Sequence, residues 1–147
     1  MELSPEMAAF IERQRVGRFA TVDAAGMPHV VPVCFTLLNG RFYIAIDEKP
    51  KHTTRLQRLK NIEGNPQVAL MLDEYSEDWS RLAWVMIRGR AEIIERGGDH
   101  PAAITALRAK YPQYQAMALE DRPLIRISPE RVNAWGFAGP APSAPGS

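Results

Sequence analysis

"HVVPVCFTLLNGRFYIAI" (His29–Ile46) decides how the rest of the chain is read. Asn39-Gly40 stands between two runs rich in β-branched and aromatic side chains. Asn and Gly both tolerate the positive φ of a tight hairpin turn, so the stretch reads as a β-hairpin. Upstream, "VGRFATV" (Val16–Val22) is another strand-like run, joined to His29 through the turn-like "DAAGMP". Three consecutive antiparallel strands are expected, over 16–22, 29–38 and 41–46. Pro32 lies inside the second. It has no N–H to give to a ladder, so that strand should be an edge, or irregular, at that point.

Working outward, Ser4-Pro5 combines an N-cap residue with proline at the first helical position, and Met7, Ala8, Phe10 and Ile11 follow with helical spacing. A short helix is expected near residues 5–15. After the hairpin, Leu56, Leu59 and Ile62 form one apolar stripe while Arg55, Arg58 and Lys60 point elsewhere. This predicts an amphipathic helix starting near Thr53 or Thr54 and closed by Gly64-Asn65-Pro66. "QVALMLDEY" (Gln67–Tyr75) and "LAWVMIRGRAEIIE" (Leu82–Glu95) read as strands joined by a loop that carries Trp79. Gly97-Gly98 breaks the chain, His100–Tyr111 is helical, and "LIRI" and "RVNAWGF" read as two short final strands. Six or seven mostly antiparallel strands with helices inserted between them suggest a small barrel with helical accessories.

The chain has 147 residues, 46% hydrophobic and 24% charged, which is one ordinary globular domain with enough apolar material for a core. Residues 1–137 are taken as that domain. Residues 138–147, "AGPAPSAPGS", are only Pro, Gly, Ser and Ala and are expected to be a disordered tail. No run reaches the roughly eighteen apolar residues of a membrane span. The N-terminus lacks the pattern of a secretion signal, and Cys34 is the only cysteine, so a cytoplasmic protein without disulfides is expected.

"DEKPKHTTRLQRLKN" (Asp47–Asn61) concentrates cations in a chain whose formal charge is only +1. Lys49 and Lys51 precede the expected helix, Thr53 and Thr54 stand at its start, and Arg55 falls in its first turn. Cations there oppose the helix dipole, by a few tenths of a kcal/mol each. A bound anion, most simply a phosphate, would reverse the sign of that effect. A solvated basic face and a nucleic-acid contact are the other readings. The shortness of the patch and its lack of interleaved aromatics disfavour nucleic acid. Among nucleophiles and metal ligands, His29, His52 and His100 have no ligand-like spacing, and Cys34 sits inside an apolar strand as a buried, inert thiol would. No catalytic side chain and no metal site is nominated. If the chain is an enzyme, a cofactor supplies the reactive atoms.

"ATVDAAGMPHVVPVCF", "DEKPKHTTRLQRLKNI" and "DEYSEDWSRLAWV", with "SPERVNAWGF" as a weaker match, occur here in an order that resembles the pyridoxamine 5′-phosphate oxidase-like superfamily, and within it the branch that uses the deazaflavin coenzyme F420. The resemblance spans roughly residues 14–137. It implies a mainly β fold with accessory helices, the FMN-binding split β-barrel, forming a homodimer with two cofactor sites at the subunit interface. It places Val31, Pro32 and Val33 along the cofactor ring, mainly through backbone. Lys49, Lys51, Thr53, Thr54 and Arg55 would hold the phosphate, with Arg58 and Lys60 further along. Trp79 is assigned a pocket or stacking role, against core or dimer contact as the default for a tryptophan. The chain departs from pyridoxamine-phosphate oxidases proper in lacking a basic segment after Arg131, which argues against vitamin B6 oxidation.

The function implied is hydride transfer from reduced coenzyme F420 to a small organic substrate, with no nucleic-acid or membrane partner. The alternatives are an FMN-dependent oxidoreductase of the same fold, or a non-catalytic protein that binds the cofactor or a tetrapyrrole.

Overall fold

In a computed structural model, residues 3–46 and 56–137 are described. Three helices, α1 (Pro5–Arg13), α2 (Gln57–Gly64) and α3 (His100–Lys110), accompany seven strands. The strands are β1 (Gly17–Val22), β2 (Pro28–Val33), β3 (Phe35–Leu38), β4 (Arg41–Ala45), β5 (Gln67–Glu74), β6 (Ala83–Ile94) and β7 (Leu124–Trp135). They form one antiparallel sheet in the order β2-β1-β5-β6-β7-β4-β3. Its two edge strands are therefore consecutive in the chain, with only Cys34 between them. The sheet curls until its edges meet at that residue, which closes a barrel through the chain rather than through a ladder.

The strand expected over 29–38 is thus two strands. Its first half pairs with β1 and its second with β4, on opposite edges of the sheet. Pro32, as expected, lies in an edge strand. The hairpin also forms as expected: Asn39 and Gly40 have φ of 52° and 77°, both in the left-handed region. Two other expectations are corrected. The final two short strands are one strand, β7, because a bulge at Glu130, opposite Arg88/Gly89 of β6, takes up the extra residue without ending the ladder. A Cβ at Gly89 would stand 2.2 Å from the Ser128 carbonyl oxygen, so only glycine fits there. The second helix begins at Gln57, with Leu56 as an extended N-cap, which leaves Arg55 and both threonines ahead of it.

The barrel interior holds Phe19, Phe35, Phe42, Leu70, Leu72 and Ile87, all fully buried, and α1 closes it with Phe10 and Ile11. A second cluster lies outside the barrel wall, where Ile104 and Leu107 of α3 cover Tyr43 and Ala45 of β4. Both faces of β4 are therefore covered, which explains why "FYIA" is buried at every position rather than alternating.

The β3 edge is finished by side chains. The Phe35 N–H donates to Tyr111 Oη at 3.1 Å and the Leu37 N–H to Glu12 Oε1 at 2.7 Å. The Tyr111 hydroxyl in turn donates to the Arg15 carbonyl at 2.9 Å.

Candidate functional site

At the start of α2 the N-cap Leu56 offers no side-chain acceptor, and the first turn contains no acid. The Leu59 and Lys60 N–H groups both go to the Leu56 carbonyl, and those of Gln57 and Arg58 have no partner among the described residues. Arg58 is only 9% exposed, and its Nε is buried with no hydrogen-bond partner. No described carboxylate pairs with it. A buried guanidinium without a counter-charge is costly, by several kcal/mol where solvent is fully excluded. Its neighbours are better provided for. Asn61 Oδ1 accepts from Gln57 Nε2 at 2.7 Å, and Asn61 Nδ2 donates to Thr21 Oγ1 at 2.9 Å. Lys60 is exposed.

β2 leads away from this place. Its register sets His29 opposite Thr21 at the α2 end and Val33 opposite Gly17 at the other. Val33 is buried and Val31 half-buried against the barrel core, whereas Pro28, Val30 and Pro32 face outward. Val30 is 60% exposed, and Met27 beside it is also exposed. The face is apolar and no described residue covers it.

At the far end a groove of about 490 Å³ opens between the ends of β5, β6 and β7. Tyr75, Trp79, Trp84 and Trp135 line it, so all three tryptophans of the chain meet there. Trp84 and Trp135 are directly opposed across the β6–β7 ladder, which puts their side chains on one face. Asp78 organises the turn that carries Trp79, accepting the Ser80 N–H at 3.1 Å. Trp79 itself is 71% exposed. Gly136 ends β7 with φ of 91°, and a Cβ there would lie 2.3 Å from the Leu82 carbonyl oxygen. Thus β7 can end this close to the groove only on a glycine.

Those of the expected site residues that are described are therefore not gathered into one place within a single chain. The level of Ala69, beside Ala20 and the α2 end of the sheet, is separated from Glu74 at the groove by about 17 Å of extended strand. Arg58 belongs to one end, Trp79 to the other, and Val31, Pro32 and Val33 lie on the strand between them. Lys49, Lys51, Thr53, Thr54 and Arg55 lie outside the described residues. Sequence reading missed the burial of Arg58 and the convergence of the tryptophans, both of which need the strand register. No group of three or more His, Cys, Asp or Glu that could hold a metal occurs among the described residues. No described helix is long and apolar enough to cross a membrane.

One further polar group is buried at the β2–β3 corner. Lys110 Nζ has no hydrogen-bond partner and stands 3.8 Å from the centre of the Phe35 ring. Burial pushes its pKa down to about 8, partly offset by Glu12. Burial likewise pushes the neighbouring Tyr111 up to about 12.

Comparison with known proteins gives a consistent picture. The sequence model of the pyridoxamine 5′-phosphate oxidase family matches residues 3–136. A 5a,11a-dehydrotetracycline/5a,11a-dehydrooxytetracycline reductase of Streptomyces rimosus is 30% identical over 140 residues, covering 95% of this chain and 87% of that protein. A heme oxygenase of Vibrio cholerae is 32% identical over 148 residues, covering 92% and 79%. The crystal structure of a conserved hypothetical protein of Mycobacterium tuberculosis superposes with a TM-score of 0.74 at 20% identity, over 100% of this chain and 96% of that one.

Proposed function

Because the chain belongs to the pyridoxamine 5′-phosphate oxidase family, we propose that it is an oxidoreductase working with the deazaflavin coenzyme F420 on a small organic substrate. The observation that carries this reading is Arg58: a buried cation with no counter-charge among the described residues, at the start of a helix, fits an anionic group of the cofactor. The reductase relative supports redox chemistry over simple binding. When bound in reduced form, the deazaflavin supplies a hydride from its C5.

The protein binds, orients and shields. Lys49, Lys51, Thr53, Thr54 and Arg55, with Arg58 and Lys60, hold the phosphodiester and the anionic tail. The backbone of Val31, Pro32 and Val33 flanks the ring on the exposed edge of the sheet. A second copy covers the apolar β2 face and brings its own Trp79 end toward α2, which gives an isologous homodimer with two shared sites. No side chain is assigned as acid or base. FMN in place of the deazaflavin is the nearest variant, since a single terminal phosphate also suits the cations.

Titration with each cofactor, followed by absorbance, tests the reading. Tight binding of the deazaflavin is expected, weakened about ten- to a hundredfold in Lys51→Ala or Arg55→Ala through loss of a charge-assisted hydrogen bond. Failure to bind either cofactor overturns it, and a stable monomer in light scattering removes the shared site. The heme oxygenase relative favours a second reading, tetrapyrrole binding. A stoichiometric heme absorbance band, with no single-turnover oxidation of bound reduced deazaflavin, would decide for it.

A further inference from the structure

We infer that the groove at the ends of β5, β6 and β7 seats an uncharged, flat, fused-ring molecule, the organic substrate of the proposed oxidoreductase. This rests on the proposed function and adds the class of substrate which that reading leaves open. Tyr75, Trp79 and Trp135 are exposed large side chains, and with Trp84 they border one opening of about 490 Å³. Apolar surface gathered in this way, rather than scattered singly, marks a place where something binds. The volume lies within the range of small-molecule sites, roughly 300–1,000 Å³. The aromatic side chains are also held in place before anything binds. Trp84 and Trp135 are opposed on one ladder, with Cβ atoms about 4.5–5.5 Å apart. The segment that carries Tyr75 and Trp79 is tied to itself. The Tyr75 hydroxyl donates to Glu77 Oε2 at 3.2 Å, the Asp78 N–H to Ser76 Oγ at 3.1 Å and the Ser80 hydroxyl to Asp78 Oδ1 at 2.7 Å. A site ordered in advance loses less entropy on binding.

The charges around the groove narrow the class. No described Lys, Arg or His borders it, so nothing there draws an anion such as a phosphate or a carboxylate. Its two carboxylates are already paired, Asp73 with Arg18 at 3.3 Å and Glu74 with Arg13 at 3.8 Å, and neither is left over for a cation. Glu77 and Asp78 are engaged within the turn. What remains is the ring surface of Tyr75, Trp79, Trp84 and Trp135. Aromatic rings attract other rings that stack with an offset or meet them edge to face, with centres about 4.5–7 Å apart. A flat conjugated molecule gains these contacts in addition to area burial, whereas a puckered saturated ring gains area burial alone. Tyr75, Trp84 and Trp135 thus join Trp79 as residues that select the substrate, and none of the three belongs to the proposed cofactor-binding set.

The probe is 1,8-dihydroxyanthraquinone, which is flat and uncharged, titrated by quenching of tryptophan fluorescence. All three tryptophans border the groove, so the signal arises there. Decahydro-2-naphthol, which has no flat face, anthraquinone-2-sulfonate and tetramethylammonium are tested as competitors. Wild type is expected to bind the probe, and each competitor to bind at least about tenfold more weakly. Trp79→Ala and Trp135→Leu should each weaken probe binding about tenfold, and Trp79→Phe by less than about threefold because a ring remains. Thr105→Ala, on the exposed side of α3, should not change it. The indole N–H resonances of the wild type should move on adding the probe, a readout that survives if a variant fails to fold. Unmoved indole resonances overturn the site. A probe that binds no tighter than decahydro-2-naphthol overturns the selection for flatness, and preference for the sulfonate or the ammonium overturns the selection for an uncharged ligand. Displacement of the probe by the deazaflavin makes the groove the cofactor's own place and overturns the inference. So does absence of probe binding together with a Trp79→Ala shift from dimer to monomer, which makes the groove a seat for the second copy. Probe binding with the expected variant pattern, in a protein that takes neither deazaflavin nor FMN, keeps the groove as a ligand site and overturns the proposed function. Deazaflavin binding without probe binding does the reverse.

Discussion

β3 and β2 are the two edges of one sheet, cut from a single run of sequence, and they are finished in opposite ways. On β3 the outward N–H groups of Phe35 and Leu37 are taken up by Tyr111 and Glu12, side chains from beyond α3 and from α1. Beneath them Phe35 is fully buried. On β2 the outward residues are Pro28, Val30 and Pro32, two of which have no N–H at all, and no described residue covers them. An unpaired edge invites pairing with other chains, and proline is one way to blunt it. The closed edge is therefore built for stability. The open one keeps an apolar face and, at its α2 end, unpartnered polar groups, as expected of a surface meant to meet something else.

The largest expected difference comes from truncating each edge. Phe35→Ala should cost about 3–5 kcal/mol, lowering the melting temperature by about 10 °C. Val30→Asp on the open edge should leave the fold within about 0.5 kcal/mol. If the proposed dimer exists, Val30→Asp instead shifts light scattering to the monomer. Comparable destabilisation by both would erase the distinction between the edges. Next in size is Tyr111→Phe, which removes the hydroxyl that accepts from Phe35 and donates to Arg15. Leaving a buried N–H unpaired should cost about 1–3 kcal/mol, read by denaturant unfolding, with cofactor affinity unchanged.

A smaller effect is a pH dependence located at the closed edge. Lys110 is held at about 8 by burial, below its ordinary 10.5, so between those values the unfolded chain binds the proton that the folded chain has released. Stability should therefore rise with pH through that window. Tyr111, held at about 12, retains a proton that the unfolded chain loses above its ordinary 10.0, so stability should fall beyond about pH 10. Tyr43, raised by burial and its bond to Asp99, acts in the same direction. Solvent reaches part of the Lys110 side chain, so the gain is expected at about 1 kcal/mol or less, a few degrees of melting temperature. Lys110→Met should remove the rise between pH 8 and 10 while keeping the later fall. A wild-type curve that declines steadily from pH 8 would contradict the assignment.

The smallest expected effect is none. Deleting Gly139–Ser147 should change neither melting temperature nor cofactor affinity, because that composition lacks the apolar side chains needed to offset ordering entropy. A loss of affinity on deletion would mean that this segment contributes to the site.

Much of this was legible from local chemistry. Asn39-Gly40 specifies its hairpin because both residues tolerate positive φ. Ser4-Pro5 specifies α1, whose N-cap hydroxyl accepts the Met7 N–H at 3.1 Å. Pro32 marks an edge because it cannot donate. The cations from Lys49 to Lys60, on which the proposed anion site rests, are legible because charge density is a property of sequence. Other features depend on residues distant in the chain. The run from His29 to Leu38 has strand composition throughout, and only closure of the barrel turns it at Cys34 into two edges. The second helix starts at Gln57 rather than at the threonines, so Arg58 falls in the first turn, and it is buried. The three tryptophans, at positions 79, 84 and 135, meet because β6 pairs with β7 in a register that no local pattern specifies. Local propensity is set by residues a few positions apart. Which edge stays open, which cation is buried and which aromatics converge are set by pairing between strands far apart in the chain, and that is decided only when the barrel closes.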